Sequence, residues 1–299
     1  MIKTTVANKQ VNLSGSWLTI ARLEDEWHHD IDDPASFVNE LSKSGLKADL
    51  FSFWQRLPDT EPRFHYYHEP DPIAVLRVTT YDHWLRKQIN GKTRNLIGKA
   101  QKKSVVVRPA SFDAEFINGM MAIFNESPVR QGMRFWHYGK DFETLKKEFS
   151  RYLFREEVFG AYVDGELIGF LFLIHAGSVA MLGQIISMIR HRDKSPNNAL
   201  IAKAVEICAE RKIPFLTYAV WPRPGSLRDF KKHNGFECVE LPRYYIPLTT
   251  KGHIALKFKL HRDPLEQLPE KVVLWLKASR AQYYTWRYRR TDGNVQARP

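Results

Sequence analysis

Residues 159–188 read FGAYVDGELIGFLFLIHAGSVAMLGQIISM, residues 195–220 read SPNNALIAKAVEICAERKIPFLTYAV, and residues 225–249 read GSLRDFKKHNGFECVELPRYYIPLT. Asp164-Gly165 supplies the positive φ of a tight two-residue turn, and Ala176-Gly177-Ser178 turns the chain again, so the first block predicts three antiparallel strands. Ser195 followed by Pro196 marks a helix start, and Leu200, Ile201, Ala204, Val205 and Cys208 then recur at helical spacing. Pro214 to Val220 is a short, nearly continuous apolar run, the pattern of a strand covered on both faces. The last block predicts a short helix capped by Ser226 and ended by Asn234-Gly235, with Leu227 and Phe230 facing the core. A final strand carries Tyr244 and Tyr245.

Toward the N-terminus the signals describe a shorter α/β unit. Strands are expected at 17–23, 49–55, 64–68 and 73–78. A helix opens at Asp33-Pro34 and ends at Gly45. Prolines stiffen turns at 58–62 and 69–72. Asp82 is placed to cap a long basic helix, HWLRKQINGKTRNLIGKAQKK (83–103), with Gly91 as its weak point, and 105–108 reads as a strand. Ser111 is placed to cap a helix with the apolar stripe Phe112, Phe116, Met120 and Phe124, and Asp141 opens another beyond the loop PVRQGMRFWHYGK (128–140). After residue 263, Leu265, Leu268, Val272, Leu276, Tyr283 and Trp286 recur at spacings of three, four and seven. They predict an amphipathic helix whose first part, 265–276, packs on the domain. Its last part, RAQYYTWRYRR (280–290), is basic and aromatic and suits a membrane interface or nucleic acid. The expected division is 1–107, 108–262, 263–290 and a disordered 291–299.

The 299 residues carry 45 Lys and Arg against 33 Asp and Glu, a net charge of +12. That field concentrates anions: nucleotide cofactors, tRNA, sugar phosphates or acidic lipid surfaces. No run of eighteen apolar residues predicts a membrane span. The opening MIKTTVANKQVNLSGSW lacks the apolar block of a secretory signal, which points to the cytoplasm, with peripheral contact at the inner face of the membrane open to the basic tail. Cys208 and Cys238 read as buried small hydrophobes. With no CxxC and no Cys/His ligand spacing, no metal is expected. No nucleophile elbow, Walker loop, dinucleotide fingerprint or HExxH is present.

The order of elements from 158 to 249 resembles the GNAT acyltransferase superfamily. Within it, the GSLRDFKKHNGF segment and the basic helix, with Arg94, Asn95, Ile97, Lys99, Ala100 and Lys103, resemble the Fem-type aminoacyltransferases. The resemblance covers about 200 residues. It implies an α/β (α+β) fold with a GNAT-like mixed sheet and flanking helices, in two GNAT-like halves of which the first is truncated, followed by the C-terminal amphipathic helix. Fem-type enzymes carry aminoacyl groups from tRNA to amines of cell-wall precursors, and ordinary GNAT enzymes use acetyl-CoA.

Four segments carry the expected chemistry. In GNAT enzymes the loop after the third strand holds glycines whose N–H groups bind the coenzyme A pyrophosphate at a helix N-terminus. Here Arg190, Arg192, Lys194, Asn197 and Asn198 stand there instead, a departure that weakens the case for acyl-CoA relative to aminoacyl-tRNA as donor. Lys231 matches the lysine of a Fem-type Phe-Lys pair and by that resemblance stabilises charge on the acyl group or leaving ribose. The basic helix offers contacts to tRNA phosphates. The loop Arg130, Arg134, Trp136, His137 and Tyr138 is expected over the acceptor, with His137 as general base. Tyr244 or Tyr245 would protonate the leaving group; adjacent strand residues face opposite ways, and which faces the cleft stays open. The sequence therefore reads as an acyl or aminoacyl transferase acting on an amine, a cell-envelope precursor being one candidate acceptor. The alternative is a non-catalytic scaffold of the same fold that binds RNA, an anionic glycan or a membrane surface.

Overall fold

The computed structural model describes residues 2–130, 132–151, 153–262 and 268–295. Its first elements are β1 (Ile2–Val6), β2 (Lys9–Ser14), β3 (Ile20–Leu23), α1 (Pro34–Lys43), β4 (Leu50–Trp54), β5 (His68–Arg77), α2 (Tyr81–His83) and α3 (Gly91–Lys102). There follow β6 (Val106–Pro109), α4 (Ala114–Asn125), β7 (Val129–Arg130), β8 (Met133–Arg134), α5 (Phe142–Phe149), β9 (Glu156–Val163), β10 (Glu166–Ala176) and β11 (Val179–Ser187). The rest are α6 (Pro196–Glu210), β12 (Phe215–Val220), α7 (Ser226–His233), β13 (Glu237–Pro247), α8 (Thr250–Lys257) and α9 (Glu270–Val295). Two compact units are assembled from separate stretches of chain. Unit 1 holds Met1–Trp84, His175–Met181 and Cys208–Asp263, and unit 2 holds Leu85–Ile174, Leu182–Ile207 and Pro264–Pro299. They cut across the division at 107/108 expected from the sequence.

Unit 1 is built on a large mixed sheet of order β1-β2-β3-β4-β13-β5-β12, joined by the start of β11. Its pairs are antiparallel except β3–β4 and β11–β12, which are parallel. The rings of Phe37, Phe51, Phe53 and Tyr244 stack in sequence at 4.9, 5.4 and 5.1 Å through its core. The β1–β2 hairpin, absent from the sequence reading, turns at Ala7 and Asn8 with φ of 45° and 61°, without a glycine to announce it. The strand expected at 64–68 does not form: 64–67 are irregular, and the strand expected at 73–78 starts earlier, at His68, as β5. Pro70 and Pro72 lie within it opposite Pro242 and Glu240 of β13. Proline keeps an extended φ and a free carbonyl, and that of Pro72 accepts from the Trp221 N–H at 2.8 Å.

In unit 2 the end of β11 is followed by β10, β9 and β6. The β9–β10 hairpin turns at Asp164 and Gly165, both with positive φ, as the sequence predicts. The stripe Phe116, Met120 and Phe124 of α4 is buried against Phe170 and Phe172 of β10. Leu200, Ile201, Ala204 and Val205 of α6 are buried too.

Several helix starts differ from expectation because a better-placed side chain takes the first free N–H. Asp113, not Ser111, caps α4 by accepting from the Phe116 N–H at 2.9 Å. The long basic helix is interrupted. Thr80 rather than Asp82 caps its first turn, a π-helical turn covers Trp84–Gln88, and Asn90 restarts it as α3 by accepting from the Thr93 N–H at 2.8 Å. At α7 the cause is different: Gly225, not Ser226, is the N-cap, and no side chain caps the helix. Strand β12 is covered only in its first half: Ala219 takes a positive φ and Val220 is exposed. Cys238 is exposed, whereas Cys208 is buried as expected. Leu265 lies outside the described residues, as do 296–299 of the tail expected to be disordered; residues 291–295 belong to α9.

Candidate functional site

Within unit 2, the segment between β11 and α6 is held from beneath by a side chain the sequence reading passed over. Glu126, just past α4, accepts from the backbone N–H groups of Ile189 and Arg190, the latter at 2.7 Å. Arg130 braces the same place: it donates to the Ser187 carbonyl at 2.9 Å and the Ile123 carbonyl at 2.6 Å, and pairs with Glu126 at 3.4 Å. Burial lowers the Arg130 pKa, opposed by Glu126 and assisted by nearby Arg192. Arg130 is thus part of this loop's foundation and is not available as the acceptor contact expected of it. Glu126 is the C-cap of α4 and Arg130 lies in β7, so no helical periodicity in the sequence links them.

The chain then forms a short 3-10 turn, Arg192–Lys194, and Ser195 takes φ 57° before its carbonyl accepts the first N–H groups of α6. A relay of side chains crosses the surface: Lys194 Nζ donates to His191 Nδ1 at 2.8 Å, and His191 Nε2 lies 3.2 Å from Glu166. Arg190 also pairs with Glu166. Arg192 and Asp193 are exposed. Asn198 is buried, and the Asn197 side-chain oxygen is buried with no hydrogen-bond partner among the described residues. Helix α3 lies beside this turn. Its Ile97 and Ala100 are buried while Lys92, Arg94, Lys99 and Lys102 remain exposed. Two cationic segments far apart in sequence are therefore neighbours at the N-terminal end of α6, where the helix dipole adds to their field.

The expected acceptor loop divides between surface and core. Gln131 lies outside the described residues. Gly132 adopts φ 71° and lies so close to α9 that a Cβ there would come within 2.9 Å of the Ala281 Cβ. Arg134 and Trp136 are exposed, and Lys140 Nζ sits 4.0 Å from the Trp136 ring while bonding Glu148 at 2.7 Å. Tyr138 lies against Tyr288 of α9 at 6.4 Å. His137 is 1% exposed, stacked on Phe124 at 4.4 Å and against Trp136 at 3.7 Å. Burial, with Lys140 beside it, lowers its pKa to about 4, so the ring is neutral at pH 7. Neutrality suits a base; enclosure does not. His137 behaves as a core ring, contrary to the role expected of it.

Unit 1 contains Lys231, Tyr244 and Tyr245. Helix α7 ends in a Schellman motif: the Gly235 N–H donates to Lys232 and the Phe236 N–H to Lys231, at 3.0 and 3.1 Å. The Trp84 indole N–H fixes that end further by donating to the Asn234 carbonyl at 3.0 Å. The expected orientation is turned. Leu227 and Phe230 are half-buried, and Lys231 is the helix's buried residue, 2% exposed. Its ammonium donates to the carbonyls of Tyr218 and Val220, at 2.5 and 2.8 Å, where β12 departs from regular pairing, and lies 4.3 Å from the Tyr218 ring. Burial lowers its pKa from 10.5 to about 8. An ammonium has three protons, and two go to these carbonyls. Tyr218, which the sequence showed only as part of an apolar run, is pushed up to about 12 by burial and keeps its proton.

The two tyrosines of β13 are both buried. The Tyr244 hydroxyl donates to Gln55 Oε1 at 2.9 Å and accepts from the N–H groups of Arg63 and Phe64 at 2.8 and 3.2 Å. It is saturated and serves the core rather than a leaving group. The Tyr245 ring packs on His261 at 4.5 Å, and burial pushes its hydroxyl up to about 12. Alternation holds, but neither hydroxyl is presented as the expected acid.

Among the described residues no group of His, Cys, Asp or Glu is arranged to hold a metal ion. A polar concavity of about 350 Å³ in unit 2, lined by Arg108, Asp113, Glu115 and Tyr162 among others, contains none of the residues to which the sequence assigned catalysis or binding.

No protein-family model matches the chain, and no curated protein sequence matches it. Solved structures do. FemX superposes with a TM-score of 0.57 at 13% identity, over 78% of this chain and 83% of FemX. The C-terminal domain of a putative lysylphosphatidylglycerol synthetase from Agrobacterium fabrum gives 0.57 at 11% identity, over 85% of this chain and 86% of that one. L-PGS from Bacillus licheniformis gives 0.55 at 13%, over the same shares. The fold is that of FemX and of these synthetase domains.

Proposed function

We propose that the protein transfers an acyl or aminoacyl group from an anionic donor to an amine. The observation that carries this reading is the convergence, in unit 2, of the Arg190–Lys194 segment and α3 at the N-terminal end of α6. Structural likeness to FemX and to lysylphosphatidylglycerol synthetase domains supports it at the level of fold. Arg190, Arg192, Lys194 and Asn197 act on the donor's phosphates, with Asn198 shaping the turn. The Ile189 and Arg190 N–H groups are already bonded to Glu126. Anion binding here therefore leans on side-chain cations spread over two segments, which suits a phosphodiester chain such as aminoacyl-tRNA better than one compact diphosphate.

In the transfer, the neutral amine attacks the donor's carbonyl carbon, its electron pair forming the new C–N bond while the carbonyl oxygen takes up negative charge. Collapse expels the ester oxygen or thioester sulfur, which receives the proton the amine gives up. The resemblance of Phe230-Lys231 to the Fem-type Phe-Lys pair assigns the stabilisation of the oxyanion to Lys231. Arg134, Trp136 and Tyr138 remain the acceptor contacts.

Replacing Arg190, Arg192 and Lys194 together with Gln tests the donor assignment. Exposed charge contacts are individually worth about 1 kcal/mol or less, so the triple change is read rather than single ones. Aminoacyl-tRNA should bind the intact protein with a steep log–log dependence on salt, and the triple variant should flatten that slope by about three contacts. Coenzyme A should show a shallow slope. If neither donor binds at low salt, the transferase reading is wrong and the scaffold reading replaces it.

A further inference from the structure

Helix α9 packs by one side and leaves an ordered apolar row on the other. Val273 is 4% exposed, and Ala281, Tyr284 and Tyr288, which share its face by helical register, are half-buried. The helix approaches β8 by this side: Ala281 closes on Gly132 and Tyr288 on Tyr138. Val272, Trp275, Leu276, Tyr283 and Trp286 fall together on the opposite side by helical register, and Leu268 prolongs the row before the helix begins. All are exposed, Trp275 by 65% and Trp286 by 53%. Leu268, Val272 and Leu276, expected to pack on the domain, are therefore turned outward, while Leu265 lies outside the described residues.

Charge accompanies the row. Residues 270–290 include six Lys and Arg and a single Glu. Arg280 and Arg287 fall at the row's edge by helical register, and Arg287 lies 3.5 Å from the Tyr283 hydroxyl. A second copy of the chain seated here would press two strongly basic helices together. An RNA would find cations and rings, but Leu268, Val272 and Leu276 would meet bases or phosphates with no stacking or hydrogen bond to offer. An anionic bilayer satisfies both features: aliphatic groups enter the acyl boundary, Trp and Tyr rings sit at headgroup depth, and the cations meet lipid phosphates. No described helix is long and apolar enough to cross a membrane, so α9 would lie in the surface plane.

We propose that the exposed face of α9 docks the protein on an anionic lipid bilayer. This does not depend on the transferase reading, since it concerns a surface made by α9 alone.

The intact protein is mixed with vesicles of phosphatidylcholine, or of phosphatidylcholine with about 30% phosphatidylglycerol, and sedimented. It should partition onto the phosphatidylglycerol vesicles about tenfold or more better than onto phosphatidylcholine alone, and brominated lipids should quench its tryptophan emission. Trp275→Ser with Trp286→Ser should cut that partition by about tenfold or more without changing the thermal melt, because both side chains are exposed. Arg287→Glu should reduce the preference for phosphatidylglycerol. Equal binding of the tryptophan variant, or absence of vesicle binding, overturns the proposal. So does light scattering that shows a dimer lost in the tryptophan variant without vesicle binding, or RNA binding lost in that variant without it.

Discussion

Replacing Lys231 with Met separates a lysine kept for charge from one kept for packing. Met fills much of the same volume without an ammonium. Two effects on stability oppose each other. Burial holds the ammonium near a pKa of about 8 rather than 10.5, a charging cost of at most about 3 kcal/mol, which screening by nearby solvent reduces to about 1–2 kcal/mol. Met removes that cost. It also leaves the Tyr218 and Val220 carbonyls without their donor, a loss of about 1.5–3 kcal/mol. The net change at pH 7 should be a destabilisation of no more than about 2 kcal/mol. The effect on transfer should be larger: removing one oxyanion donor costs about 2.7–4 kcal/mol, a hundred- to a thousandfold in turnover. Urea unfolding at several pH values and single-turnover transfer from aminoacyl-tRNA measure the two quantities. The sign with pH is specific. The folded pKa lies below the unfolded one, so between about pH 8 and 10.5 the unfolded chain binds more protons and wild-type stability rises with pH. The Met variant should lack that rise. Unchanged turnover in a folded variant would make Lys231 structural, and an unchanged pH slope would refute the argument from burial.

Three further outcomes follow from the same geometry. His137→Phe should preserve the ring stack and the transfer rate. Because the folded imidazole titrates near 4, wild-type stability should fall as pH drops from 6.5 toward 4 and the variant's should not; a lost alkaline or acidic limb in the pH–rate profile would restore the base assignment. Tyr244→Phe should cost about 1–3 kcal/mol in denaturant unfolding through the loss of its three hydrogen bonds while sparing turnover per folded molecule; a large rate loss at unchanged stability would contradict this. Burial alone would raise the Asp49 pKa, but bonds from Lys251, Thr19 and Thr249 hold it well below the usual carboxylate range. Its stabilisation should be full above about pH 4 and fade as acid protonates it, so Asp49→Asn should lower the melting temperature at pH 7 and much less near pH 2.

Local rules made much of the fold legible in the chain. Asp164-Gly165 needs nothing beyond its own backbone preference to turn a hairpin, and Asn234-Gly235 ends α7 for the same reason. The spacing of Phe116, Met120 and Phe124, or of Leu200, Ile201, Ala204 and Val205, follows from the helix period. These patterns, in their order, also carried the Fem-type resemblance, and the fold is like that of FemX. Tertiary structure decided what local rules leave free. Whether a polar side chain is spent or available depends on partners far along the chain: Tyr244 is saturated by Gln55 and the 63–64 backbone, and Glu126 reaches the N–H groups of Ile189 and Arg190. Which side of a helix is buried depends on what arrives against it. Periodicity marked the apolar row of α9 without saying that its other side would meet β8, and marked Leu227 and Phe230 without saying that Lys231 would be the residue enclosed. Sequence spacing sets which residues share a face; only the packed chain sets which face is covered, and with it the charge state and reach of Lys231 and His137.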